Sequence, residues 1–180
     1  MNRLGSLPIA LRAAAEGDIG AITAIYAHHV RTGTATFELD APDAAEMTQR
    51  WRDVMARGLP YLVAVAAGDV IAFAYAGPYR SRPAYRFTVE DSIYVRADAR
   101  GRGVGGALLA ELIDRSERAG ARQMLAVIGD AANQASIRVH AALGFRQVGV
   151  LSSVGNEFAR WLDVILMQRA LGPGDGAPGG

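Results

Sequence analysis

Arg100-Gly101-Arg102-Gly103-Val104-Gly105, followed by Gly106 and a helix-forming run, is the stretch whose reading decides the fold. Alternating glycines let a turn direct its backbone amides inward, where they join the free amides of a helix N-terminus. Such a loop binds phosphate oxygens, and Arg100 and Arg102 add charge-assisted contacts to a pyrophosphate or a ribose phosphate. The bland alternative is a glycine-rich connection, for which two arginines between glycines at a helix start are an odd choice. A Walker loop needs Lys-Ser or Lys-Thr after its last glycine, and Ala107 follows Gly106 here. Gly101-x-Gly103-x-x-Gly106 also fits a dinucleotide fingerprint, with Asp130 close to where a ribose-binding acid sits. In that fingerprint the first glycine follows its strand at once, whereas Arg96-Ala97-Asp98-Ala99-Arg100 intervenes after Val95.

Upstream of the loop, Arg86 to Val95 reads as a strand, and downstream Gly103 to Gly120 carries Val104, Leu108, Leu109, Leu112 and Ile113 at helical spacing. Tyr61–Ala66 and Val70–Ala76 flank Ala67-Gly68-Asp69 as an antiparallel hairpin, which does not suit a parallel βαβαβ half. Ile9 to Ala13 is a short strand. Helices follow Glu16-Gly17-Asp18 and Pro42-Asp43, the second ending at Gly58-Leu59-Pro60. Met124 to Ile128 is a buried strand and Asn133 to Leu143 a helix stopped by Gly144. Phe145–Leu151 and Phe158–Leu171 supply two late strands. The expectation is an α/β (α+β) fold: a mixed, mostly antiparallel central sheet flanked by helices, in one domain over 1–171 with a disordered Gly/Pro tail over 172–180.

The 180 residues suit one core, and 51% apolar with 21% charged residues is ordinary for a globular chain. A net charge of +1 indicates no pull toward nucleic acid or an anionic membrane. No run approaches the roughly 20 apolar residues of a membrane span, and no signal peptide is evident, so a soluble, cytoplasmic protein is expected. The absence of cysteine removes disulfides and thiolate chemistry. Adjacent His28 and His29 diverge by about 100° on a helix, and His140 is remote, so no metal is expected. His28 and His29 read as surface or interface residues, Trp51 and Trp161 as core or interface packing.

The loop resembles, at every fixed position, the Arg/Gln-x-x-Gly-x-Gly/Ala loop of the Gcn5-related N-acetyltransferases, which holds the pyrophosphate of coenzyme A. Asn133-Gln134-Ala135-Ser136 leading to Leu143-Gly144-Phe145 is similar to the family's Asn-x-x-Ala/Ser segment, whose Asn contacts the pantetheine arm. Thr88-Val89-Glu90 before Ser92-Ile93-Tyr94-Val95 resembles the phosphinothricin and methionine sulfoximine acetyltransferases, a likeness running from about Leu11 to Leu171. Where relatives often carry Gly-x-Lys-Phe-Gly-x-Trp, this chain has Glu157 and Ala159. The resemblance implies acetyl-CoA as cosubstrate, a small-molecule amine as acceptor, no metal and a homodimer. The other acceptors to weigh are a protein N-terminus, a lysine or a polyamine; a coenzyme A-binding sensor without turnover is the non-enzyme alternative.

Acetyl transfer to an amine needs a neutral amine, a polarised carbonyl and a proton for the departing thiolate. Glu90 is the candidate base: spacing alone leaves it either a solvent-facing strand residue or a half-buried carboxyl, and the Thr-Val-Glu resemblance favours the base. His140 stands where many relatives place a tyrosine that protonates the thiolate; its alternative is a packing residue near its helix end. By resemblance, the backbone of Ile93, Tyr94 and Val95 pairs with pantetheine and supplies an oxyanion donor, although Tyr94 equally suits the core. The cofactor set is completed by Arg100, Gly101, Arg102, Gly103, Val104, Gly105, Gly106, Asn133 and Ser136. Thr34, Phe37 and Glu38 are expected to close the acceptor pocket. Arg80, Arg82 and Arg86 either clamp an acidic acceptor or form a solvated hairpin edge.

Overall fold

A computed structural model describes residues 8–176. In chain order the strands are β1 (Ala10–Ala13), β2 (Tyr61–Ala66), β3 (Asp69–Pro78), β4 (Thr88–Val95), β5 (Gln123–Gly129), β6 (Arg146–Glu157) and β7 (Arg160–Ala170). The helices are α1 (Ile19–Thr32), α2 (Ala44–Ala56), α3 (Val104–Arg118) and α4 (Gln134–Ala142). The strands form one sheet in the order β1-β2-β3-β4-β5-β7-β6, antiparallel throughout except for the parallel β4–β5 pair. That exception follows from the crossover through α3, because only a long connection returns a chain parallel to itself.

Each face of the sheet has its own core. On one face, Leu108, Leu109 and Leu112 of α3 pack on Leu62, Ala64, Ile71, Ala72 and Met124. On the other, Ile22, Ile25, Tyr26 and Val30 of α1 and Met47 and Val54 of α2 pack on Tyr61, Val63, Phe73 and Tyr94. Alternation along β2 to β4 thus feeds two layers, and the strands read as almost continuous apolar runs because both faces are covered. Asp43 caps α2 by accepting from the Glu46 amide at 2.9 Å, and Asp18 accepts from the Ala15 amide at 2.8 Å while pairing with Arg12.

The last two strands differ from their sequence reading. The first does not end at Leu151 but runs to Glu157 through register shifts at Gln147/Gly149 and Leu151/Gly155. Bulges break strict alternation, which hid the continuation. Phe158 and Ala159, both at positive φ (49° and 57°), are the turn rather than the start of β7. Of the tail, residues 172–176 form turns, tied by Arg122 Nε donating to the Gly174 carbonyl at 2.9 Å. Its last part, 177–180, lies outside the described residues.

Candidate active site

The parallel pairing of β4 with β5 covers only Thr88–Asp91 against Gln123–Ala126. Beyond that rung the strands separate, and a cavity of about 920 Å³ opens between them. It is lined from β4 by Glu90 to Val95, from β5 by Ala126 to Gly129, and from the two helix starts by the glycine loop and Asn133. The gap passes through the sheet: Glu90, Ser92 and Tyr94 lie on the α1 face, Asp91, Ile93 and Val95 on the α3 face.

Pairing alternation decides which β4 backbone groups are available. Arg96 N donates to Ile71 O at 2.8 Å and Tyr79 N to Thr88 O, so the even-numbered residues face β3. Ile93 and Val95 therefore direct their amides and carbonyls into the gap, while those of Tyr94 are spent on β3. Tyr94 itself is 8% exposed, packs into the core and borders the cavity with its side chain. The Val95 carbonyl is already taken: His29 Nε2–H donates to it at 3.0 Å. His29 is buried, not a surface residue; burial holds its imidazole below the ordinary range, so it is a neutral donor near pH 7. Its adjacency to His28 in sequence concealed this, since one residue step along α1 aims the two side chains about 100° apart.

At the helix start, Gly101 and Gly103 adopt φ of 76° and 77°, the left-handed region that a side chain strains. The first intrahelical bond is Ala107 N to Gly103 O, which leaves the Val104, Gly105 and Gly106 amides unpaired and lining the cavity. Arg100 borders the same space; Arg102 does not line it. Asn133 caps α4, its Oδ1 accepting from the Ser136 amide at 3.3 Å. Both residues line the cavity.

Glu90 and His140 enter this cavity from opposite faces of the sheet. Burial, then the neighbouring charge of Asp91, raises the Glu90 carboxyl above its ordinary range, and the charge of Arg80 opposes that shift. His140 is 4% exposed and bonded at both ring nitrogens, Nδ1 to the Ser136 carbonyl at 2.8 Å and Nε2 to Asp91 Oδ2 at 3.0 Å. Burial disfavours the imidazolium, but the bond to Asp91, its charge and the Ser136 carbonyl outweigh burial, so the ring holds its proton above the usual histidine range. Sequence reasoning missed Asp91. An acid between Val89 and Ile93, on an otherwise apolar face of β4, was the available signal.

The acceptor-side residues divide. Thr34 Oγ1 donates to Asp130 Oδ2 at 2.8 Å, and the Phe37 ring sits over Gly129 and Gly155, both lining or closing one end of the cavity. Glu38 does not line it: Arg50 grips its two oxygens at 2.6 and 3.1 Å, and Tyr26 OH donates to it at 2.8 Å. Arg80, Arg82 and Arg86 are exposed beyond the cavity rim, with the Arg80 and Arg86 guanidiniums lying over the Tyr79 and Phe87 rings. Glu157 is buried, with burial raising its carboxyl and no protein partner at Oε2. Among the described residues no group of three or more metal-ligating side chains stands together.

A Cβ at position 155 would lie 2.4 Å from Phe37 Cε2. Gly155→Ala is expected to swing the half-exposed ring outward and open that end of the cavity, which a crystal structure of the variant checks.

Residues 22–145 match the family described as acetyltransferase (GNAT). The phosphinothricin N-acetyltransferase of Alcaligenes faecalis is 55% identical over 92% of this chain and 84% of its own. The L-methionine sulfoximine/L-methionine sulfone acetyltransferase of Pseudomonas paraeruginosa is 43% identical over 93% and 98%. A solved structure of a GNAT superfamily phosphinothricin acetyltransferase from Sinorhizobium meliloti, in complex with acetyl-CoA, superposes with a TM-score of 0.93 at 46% identity, covering 96% of this chain and 93% of that one.

Proposed function

This chain belongs to the acetyltransferase (GNAT) family, and from that premise we propose that it moves the acetyl group of acetyl-CoA to the α-amine of a small amino-acid-like acceptor of the phosphinothricin or methionine sulfoximine type. The observation that carries the reading is one cavity, open through the sheet, with a half-buried carboxyl on one face and a buried imidazole on the other.

Acetyl-CoA supplies the activated acetyl thioester. The free amides of Val104, Gly105 and Gly106, with the Arg100 charge, are suited to its pyrophosphate. Asn133, Ser136 and the gap-facing backbone of Ile93 and Val95 are suited to the pantetheine amides. Glu90 accepts the proton of the attacking amine: its raised carboxyl is a stronger base than an exposed glutamate, and the amine must be neutral to attack. The amide of Ile93 directs a donor at the developing oxyanion. His140 holds the proton that the departing thiolate requires.

Thr34 and Phe37 wall the acceptor end, and Glu38 holds that loop through Arg50 and Tyr26 rather than touching the acceptor. Arg80 is felt electrostatically at Glu90, which favours an acceptor carrying a carboxylate over a polyamine or a lysine. Steady-state turnover, followed by free thiol release, tests the reading. Phosphinothricin or methionine sulfoximine should be consumed in preference to peptide N-termini and polyamines; the reverse order overturns the acceptor class, and tight acetyl-CoA binding without turnover of any amine overturns the enzyme reading.

The working form is a homodimer. β6 is an edge strand, and Val148, Val150, Leu151, Val154, Phe158 and Trp161 of the β6–β7 hairpin are exposed, Trp161 at 69%. Uncovered edge strands with apolar side chains invite a second copy. Trp161→Asp should shift the mass measured by light scattering from dimer to monomer. Among the described residues no helix is long and apolar enough to cross a membrane. The cytoplasm, where acetyl-CoA is available, is the proposed place of action.

A further inference from the structure

The imidazole of His140 presents its two nitrogens to two acceptors, the Ser136 carbonyl and an Asp91 carboxylate oxygen, at 2.8 and 3.0 Å. A carbonyl only accepts, so Nδ1 carries a hydrogen; with Asp91 ionised, Nε2 carries one as well, and the ring is an imidazolium. The pair is formed at the last rung of the β4–β5 ladder, where Asp91 faces Ala126 and the strands part, and both residues line the cavity. The groups facing the ring are Asp91 from β4, the Ser136 carbonyl and hydroxyl from α4, and the Phe145 ring beyond it, 5.0 Å away at 86°. Asp91 is the charged one among them. Glu90, its neighbour, points to the opposite face of the sheet.

We propose that Asp91 is a positioning residue for the transfer: it fixes the His140 ring in the cofactor cavity and keeps it doubly protonated, so that the ring arrives at the reaction carrying the proton destined for the departing thiolate. This rests on the reading of His140 as that donor. In the step, Nε2–H gives up its bond to Asp91, the N–H bond breaks and an S–H bond forms, leaving a neutral ring still anchored through Nδ1–H to Ser136. The Nε2 lone pair then faces a carboxylate, an arrangement that favours recovery of a proton before the next turnover.

A purely structural tie between α4 and β4 explains less. Two buried partners with opposite charge add little to stability compared with apolar residues of the same volume, because both must be stripped of water. Asp91 Oδ1 also has no protein partner, a further cost without a structural return.

The test uses the full chain with ring-labelled histidine. There are three histidines, so His28→Gln and His29→Gln identify the His140 resonances by elimination. Asp91→Asn keeps the side-chain shape and removes the charge. The expected result is that the His140 titration moves to lower pH, the basic limb of the kcat profile moves with it, and kcat on the alkaline side falls roughly tenfold or more, while the KM of acetyl-CoA stays within about twofold. If Asp91→Asn fails to fold, Asp91→Ser serves with the same readouts. An unmoved His140 titration overturns the role of Asp91. A ring titration that moves while the kcat limb stays separates the pair from catalysis and also overturns the proposal. The underlying reading fails by a different result, a His140→Gln enzyme with parental kcat.

Discussion

Glu90→Gln lowers kcat by about 10²–10⁴-fold and leaves the fold as stable as the parent, or more stable, at neutral pH. The two halves of this expectation come from one cause. Burial and the charge of Asp91 raise the Glu90 carboxyl, so the folded chain holds that proton more tightly than the unfolded chain does. The stability so gained is fully present below the ordinary carboxylate range and is lost as pH rises through the raised value. At neutral pH the ionised group therefore sits in the fold at a cost, and glutamine, which cannot ionise, removes it. Glutamine also cannot accept a proton from the amine. The parent should show a bell-shaped kcat/KM profile, rising as Glu90 ionises and falling as His140 loses its proton; the variant should lose the acidic limb. Initial rates across pH and thermal melts at two pH values check both. A variant that loses activity together with stability would mean that Glu90 is a packing residue.

The second large effect concerns the frame. Phe73 is fully buried, and its ring lies 5.1 Å from Tyr94, 6.0 Å from Tyr61 and 6.4 Å from Tyr26. Phe73→Ala should destabilise the protein by about 3–5 kcal/mol, a large part of the roughly 5–15 kcal/mol available to a domain. Phe73 faces Tyr94 across the β3–β4 ladder, and Tyr94 packs against both Tyr26 and His29 of α1. The cavity left behind loosens the upper part of β4, where pairing with β5 has already ended. Denaturant unfolding checks the stability; a rise in the KM of acetyl-CoA in the variant, below its melting temperature, checks the coupling to the site.

Local signals carried most of the fold. Apolar residues at helical spacing placed α3, and the run Tyr61–Ala66 with a Gly68 turn placed the β2–β3 hairpin, where Ala67 and Gly68 both take positive φ. The backbone of the glycine loop was legible because glycine spacing directly encodes the positive φ that Gly101 and Gly103 adopt. The separation of β4 from β5 was not legible, being a relation between strands joined by a long crossover. The Asp91–His140 pair spans 49 positions and leaves no periodic mark. Glu38 was read from the resemblance of its segment and the arginines at 80, 82 and 86 from charge, and neither says whether a side chain faces a cavity, a partner or water. Arg50 claims Glu38 from α2, a contact that only the packing of α2 creates.

A gap through a sheet gives each substrate its own entrance. The glycine loop and α4 border one side, while α1, Thr34 and Phe37 border the other. Neither molecule has to leave before its partner arrives, and no side chain has to carry the acetyl group between them. Double-reciprocal plots of initial rate should therefore intersect instead of running parallel, and an acetylated form of the protein should not accumulate when the amine is withheld.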